Sequence, residues 1–178
     1  MTERPPNRLP EPRRSGRHYR IAVVCLGNIC RSPIAEVVLT SRLEEAGLSD
    51  AVDVASAGTG DWHLGQPMDR RAARTLSSRG YDGHAHRARQ TEPDWVDSHD
   101  LVLAMDGNNY TDLLALGVAP ERLRRFRDFD PDAEEVDRDV PDPYYGGGEG
   151  FEEVLDMVER SCTGLLEELR GRLDQATA

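Results

Sequence analysis

The chain has no lysine: all 22 of its basic residues are arginine. A phosphate-binding loop ending in Gly-Lys-Ser/Thr is therefore excluded, and with it the nucleotide-binding class built on that lysine. Cysteine is nearly as scarce. Three residues, Cys25, Cys30 and Cys162, are too few and too unevenly placed for a secreted disulfide scaffold, and their odd number leaves at least one thiol unpaired. A reducing, cytoplasmic setting is expected. Long apolar runs are missing too. Stretches such as Ile21 to Cys25 and Leu101 to Met105 fall far short of the roughly 20 residues a membrane helix requires. The N-terminal segment is basic and has no apolar centre like that of a signal peptide. Neither a membrane span nor export by that route is expected.

Charge is unevenly spread. The net value is −11, yet the first twenty residues hold six arginines against two glutamates, which leaves −15 on the remaining 158. An anionic body argues against nucleic acid as a partner. An anionic ligand would then need a local site, built from backbone dipoles and a few arginines. With 178 residues, one α/β domain is the natural expectation, and a monomer is the favoured state. Residues 1–18 combine four prolines with five arginines and almost no large apolar side chains. Such a composition buries too little to offset its ordering entropy, so a disordered tail is expected there, followed by a domain over 19–174.

From Tyr19 onward, strand and helix signals alternate, the pattern of a parallel sheet covered by helices. The first strand is Arg20 to Cys25. Ser32 then offers an N-cap and Pro33 a first helical position, followed by Ile34, Val38, Leu39, Leu43 and Ala46 at helical spacing, with Gly47 as the stop. Val52 to Ala57 reads as a second strand, Asp69 to Arg79 as a helix ended by Gly80, and Asp100 to Met105 as a third strand leading into a helix that runs to Gly117. Arg122 to Phe126 is a weaker fourth strand. The last helix has a continuous apolar stripe: Phe151, Val154, Leu155, Val158, Cys162, Leu165, Leu166 and Leu169.

The chemistry is concentrated in Cys25-Leu26-Gly27-Asn28-Ile29-Cys30-Arg31-Ser32-Pro33. A cysteine at a strand end is separated by five residues from an arginine at a helix start. Such a loop directs successive backbone N–H groups, and the positive end of a helix dipole, at one spot. Arg31 adds a planar fork matched to two phosphate oxygens. The same field favours thiolate over thiol, so Cys25 is expected to be nucleophilic at neutral pH. Gly27 permits backbone that a Cβ would obstruct, and Asn28 tolerates left-handed geometry. Ser32 has two compatible roles open to it, a hydroxyl for the thiolate and a helix cap. Expulsion of a phenolic or alkoxide oxygen also calls for a proton donor. Asp142 is the candidate, in the proline- and glycine-rich surface loop Val140-Pro141-Asp142-Pro143-Tyr144-Tyr145-Gly146. Cys162, on the apolar stripe of the last helix, reads as core.

CLGNICRSP followed more than a hundred residues later by DPYYGG resembles the low-molecular-weight protein tyrosine phosphatase family. Ser56-Ala57-Gly58-Thr59, Asp61-Trp62-His63, Ala85 to Gln90, and Leu103-Ala104-Met105-Asp106 with Asn109 resemble its other landmarks in order, over about residues 20–172. The resemblance implies a four-stranded parallel sheet with helices on both faces and the phosphate-binding loop between the first strand and first helix. It further implies a phosphocysteine intermediate on Cys25, with Asp142 first as acid and then as base, and no metal or organic cofactor. Asn28, Ser32, Ser56 and His86 would support the phosphate loop, while Trp62, Tyr144 and Tyr145 would wall a cleft for phosphotyrosine-containing proteins. The N-terminal tail and Gly146-Gly147-Gly148 depart from the family pattern.

Three other functions compete. Thioredoxin-coupled arsenate reductases resemble this pattern but need relay thiols after Gly80, and Tyr81 to Gln90 contains none. Protein arginine phosphatases are the closer alternative; their position between Asn28 and Cys30 resembles threonine, whereas Ile29 matches the tyrosine-specific pattern. A silent phosphotyrosine-binding module would need neither Cys25 nor Asp142. Finally, Cys25 and Cys30 share one loop, and a thiolate beside a resolving thiol makes reversible oxidation an expectation.

Overall fold

The structure, a computed structural model, describes residues 9–176. Its centre is a parallel sheet of four strands, β1 (Tyr19–Cys25), β2 (Val52–Gly58), β3 (Leu101–Ala104) and β4 (Leu123–Arg125), in the order β2-β1-β3-β4. Ile21, Ala22, Val23 and Val24 are all fully buried because β1 is covered on both faces, which is why it reads as an unbroken apolar run. β4 is shorter than expected: Arg122 belongs to one 3₁₀ turn and Phe126 opens another.

Among the described residues five α-helices cover the sheet: α1 (Arg31–Glu45), α2 (Arg70–Ser78), α3 (Pro93–Asp97), α4 (Gly107–Leu116) and α5 (Gly148–Ala176). Strand alternation sorts them between two cores. Ile21, Val23 and Cys25 point to the side of α1, α2 and α5, joined by Ile34, Leu39, Leu76 and the whole buried stripe of α5. Ala22, Val24, Val102 and Ala104 point to the other side, against Val96 of α3 and Leu113 of α4. The short α3 carries too little periodicity to be legible in sequence. α4 stops at Gly117, which takes φ of 104°.

The chain steps from β1 outward to β2, then back across β1 to β3. Loops leaving β1 and β3 therefore diverge at the C-terminal edge of the sheet, where such folds open a crevice. The opposite edge holds the N-terminal arm. Of the segment expected to be disordered, residues 1–8 lie outside the described residues, and residues 9–18 are largely exposed but fastened to the body at several points. Leu9 is 4% exposed, Tyr19 donates its hydroxyl proton to the Pro10 carbonyl at 2.9 Å, and Arg13 donates from its backbone to Asp100 and from Nε to the His99 carbonyl. These anchors and hydrogen bonds run to residues distant in the chain, which composition does not reveal. Among the described residues, no helix is long and apolar enough to cross a membrane.

Candidate active site

Cys25 ends β1 opposite Gly58 of β2, and the loop to Arg31 turns over that strand end. The approach is so close that a Cβ on Gly58 would stand 2.6 Å from the Leu26 carbonyl oxygen. Asn28 makes the turn. It is the only described non-glycine residue with positive φ (58°), and its side chain is fully buried. Its Nδ2 donates to Ser32 Oγ at 2.8 Å and Ser56 Oγ at 3.0 Å, its Oδ1 accepts the Arg89 N–H at 3.0 Å, and its own N–H points to Cys25 Sγ at 3.3 Å. His86 Nε2 meets the Asn28 carbonyl at 2.7 Å. Every polar group of this residue is thus engaged, which holds a strained conformation in place.

Ser32 is not the helix cap. α1 starts one residue earlier, after Cys30, and no side chain caps it. The Ser32 hydroxyl accepts from Asn28 and lies 3.0 Å from Cys25 Sγ and 3.4 Å from the Ala57 carbonyl, so it stands beside the thiol and not at the helix cap.

Arg31, although charged, is 3% exposed. Its Nη1 donates to Asp106 Oδ2 at 2.5 Å and to the Val140 carbonyl at 3.0 Å, while Nη2 stands 3.7 Å from Asp142 Oδ2. Burial works against this charge, but the fields of Cys25, Asp106 and Asp142, with the Asp106 hydrogen bond, outweigh it and hold the guanidinium pKa above its usual value. Asp106 does double duty, because its Oδ1 caps α4 through the Asn109 N–H. Asp142 is about one-third exposed and accepts the Tyr144 N–H on Oδ1 at 3.1 Å, a local turn that aims the carboxyl at the cleft. The segment before it is tied down by the Val140 N–H, which donates to the Met105 carbonyl at 2.7 Å.

These groups line one open cleft of about 350 Å³. Cys25, Leu26, Gly27, Ile29, Cys30 and Arg31 form its floor, and Asp142, Trp62, Tyr144 and Tyr145 its sides. Trp62 and Tyr145 are 66% and 91% exposed, an uncommon placement for large rings. Cys30 is a free, buried thiol whose pKa burial pushes well up. Cys162 is fully buried within α5. Ser56 and His86 lie behind the loop, outside the cleft itself.

Four participants were not singled out from sequence as site residues. Asp106 holds Arg31, Glu36 accepts from Ser56 Oγ at 2.9 Å and faces His86, His63 lines the cleft, and Arg71 reaches the Asp142 loop. Asp106 and His63 sit within quoted landmarks; for Glu36 and Arg71, on helix surfaces, no local signal existed. Among the described residues no three His, Cys, Asp or Glu side chains are grouped to hold a metal.

The model of the low molecular weight phosphotyrosine protein phosphatase family matches residues 20–175. The chain belongs to that family. It is 45% identical over 163 residues to a low molecular weight protein-tyrosine-phosphatase of Streptomyces coelicolor, covering 90% of this chain and 99% of the relative. It is 44% identical over 153 residues to low molecular weight protein-tyrosine phosphatase A of Mycobacterium tuberculosis, covering 86% and 93%. Among solved structures, YfkJ of Bacillus subtilis superposes with a TM-score of 0.82 at 32% identity, over 89% of this chain and 99% of that one. A protein tyrosine phosphatase of Entamoeba histolytica superposes at 0.81 with 35% identity, over 86% and 97%. The family match begins at Arg20, so the arm lies outside the matched residues.

Proposed function

We propose that this chain is a protein tyrosine phosphatase that works through a phosphocysteine intermediate. The observation that carries it is the convergence of the Cys25 thiol, the Arg31 fork and the Asp142 carboxyl on one cleft. Asp106 and Val140 occupy Nη1 of Arg31, which leaves the rest of the fork for two phosphoryl oxygens; the uncapped start of α1 adds backbone N–H groups and a favourable dipole. Sγ attacks phosphorus, the P–O bond to the phenol breaks, and Asp142 gives its proton to the leaving oxygen. Water then attacks phosphorus, Asp142 takes the proton, and the P–S bond breaks to release inorganic phosphate and the thiolate. Ser32 Oγ and the Asn28 N–H, both beside Sγ, stabilise that thiolate as it leaves. Cys30 is the resolving thiol if Cys25 is oxidised, so recovery by dithiol after peroxide is expected to fall in Cys30→Ser.

Substrate choice rests on reach. A phenyl phosphate holds phosphorus farther from the peptide backbone than a seryl phosphate, and rings at Trp62, Tyr144 and Tyr145 favour the longer group. Ile29 offers a guanidinium no partner for its N–H donors, which disfavours phosphoarginine. The test is hydrolysis of para-nitrophenyl phosphate, then of matched peptides. Phosphotyrosine is expected to exceed phosphoserine and phosphoarginine in kcat/KM by at least about a hundredfold, with Ile29→Thr narrowing the gap to phosphoarginine. Equal rates on phosphoarginine and phosphotyrosine would reassign the substrate, and no hydrolysis at all would favour a binding module. Asp142→Ala should cost about 100- to 10,000-fold on a poor leaving group and far less on a good one.

A further inference from the structure

We propose that Arg71, set by Asp69, is a positioning residue that fixes the Asp142 loop relative to the phosphate loop; the inference rests on Asp142 being the general acid. Asp142 rides on a segment that reaches α5 through Gly146 and Gly147, with Gly148 the first residue of the helix, a connection with little stiffness of its own. Its backbone is held from α2. The Asp69 N–H donates to the Ile29 carbonyl of the phosphate loop at 2.9 Å. The Asp69 carboxylate caps α2 and grips Arg71 twice, from Nε to Oδ1 at 3.2 Å and from Nη2 to Oδ2 at 3.0 Å. Arg71 then donates from Nη2 to the Tyr144 carbonyl at 3.0 Å and from Nη1 to the Gly146 carbonyl at 3.4 Å, with its guanidinium over the Phe151 ring. The Tyr144 N–H in turn donates to Asp142 Oδ1.

The path from nucleophile loop to proton donor is therefore continuous: Ile29, Asp69, Arg71, Tyr144, Asp142. Its chemistry explains why arginine is needed. Two carbonyl oxygens and a carboxylate must be met by one side chain, and a rigid fork with five N–H donors meets them where an ammonium, a single point of charge, cannot. Arg71 does not line the cleft and has no part in bond making. Its effect reaches the reaction only through the placement of Asp142, so it falls on the step that needs the proton.

That gives a signature which a structural role would not produce. In the full-length protein, Arg71→Met, which keeps the aliphatic stem over Phe151, is expected to lower kcat/KM for phenyl phosphate by about tenfold, a fraction of what a general acid supplies. The loss for para-nitrophenyl phosphate, whose leaving group needs no proton, is expected to stay below about twofold. The alkaline limb of the pH profile should flatten, and Arg71→Lys should lie between. Asp69→Asn retains a good helix cap and removes the charge that sets Arg71, so it should show the same leaving-group bias and decide the matter if Arg71→Met folds poorly. Asp142→Ala is measured in parallel. If it shows the leaving-group bias and neither Arg71→Met nor Asp69→Asn does, the positioning role is wrong and the mechanism stands. If Asp142→Ala shows no bias, the general-acid reading falls and this inference with it.

Discussion

Arginine stands at both edges of the sheet and does different work at each. At the C-terminal edge, Arg31 is buried and only partly engaged: one nitrogen is tied to Asp106 and Val140, and the rest of the fork faces a cleft. At the N-terminal edge, arginines run to backbone carbonyls and carboxylates. Arg13 meets the His99 carbonyl, Arg122 donates to the carbonyls of Glu11 and Asp100, and Arg172 pairs with Glu11 at 2.7 Å. The first arrangement keeps donors available for a ligand at the expense of a buried charge; the second fastens one segment of chain to another. What separates a binding arginine from a stapling one is thus where its remaining donors point.

The contrast is broken most severely at the catalytic edge. Cys25→Ser and Arg31→Lys are each expected to lower kcat by at least about a thousandfold, since one removes the nucleophile and the other the bidentate fork, with Cys25→Ser still binding vanadate. A Cys25→Ser enzyme within about tenfold of the parent would overturn the mechanism. Asn28→Ala tests the support beneath. It removes one hydrogen bond each from Ser32 Oγ, Ser56 Oγ and the Arg89 N–H, for about 1–3 kcal/mol of stability, and loosening the loop is expected to cost about a hundredfold in kcat/KM. Unchanged kinetics would show that the loop holds itself.

At the opposite edge the effect should appear in stability alone. Leu9→Ala removes a buried anchor of the arm for about 2 kcal/mol, a fall in Tm of about 4–8 °C, with kcat/KM unchanged. A catalytic loss there would mean the two edges are coupled. The mildest test concerns Asp130, whose buried carboxylate is gripped by Arg127 and Arg160. Burial pushes its pKa up, but hydrogen bonds from Arg160, the Asp132 backbone and Arg127 outweigh that and leave it below the usual value. A folded pKa below the unfolded one means its contribution is full above about pH 4 and is lost as pH falls through the folded value. Acid unfolding of Asp130→Asn, followed by circular dichroism, is expected to be shallower below about pH 4 than that of the parent.

Much of this was legible in one dimension. Alternation of apolar strands with amphipathic helices specified a covered parallel sheet, because burial on one face or both leaves a period in the chain. The phosphate loop was legible because its parts lie within nine consecutive residues, from Cys25 to Pro33, and backbone geometry at a strand-to-helix turn does the rest. Asp142 was legible by its proline-flanked setting and by family resemblance. Illegible were the contacts made by residues far apart in the chain: Asp106 on Arg31, 75 positions away, Glu36 behind Ser56, Arg71 on Tyr144, and the arm on Asp100. Ser32 shows the limit most sharply, since a serine before a helical proline is an equally good cap or thiol partner until Asn28 and Cys25 are brought within 3 Å of its oxygen. The sequence by itself determined which groups are candidates for the chemistry and which elements present them, because both are written in local spacing. Only the tertiary structure decided which charges hold those groups in place, because a charge exposed in the unfolded chain acquires its partner when the sheet brings distant loops to one edge.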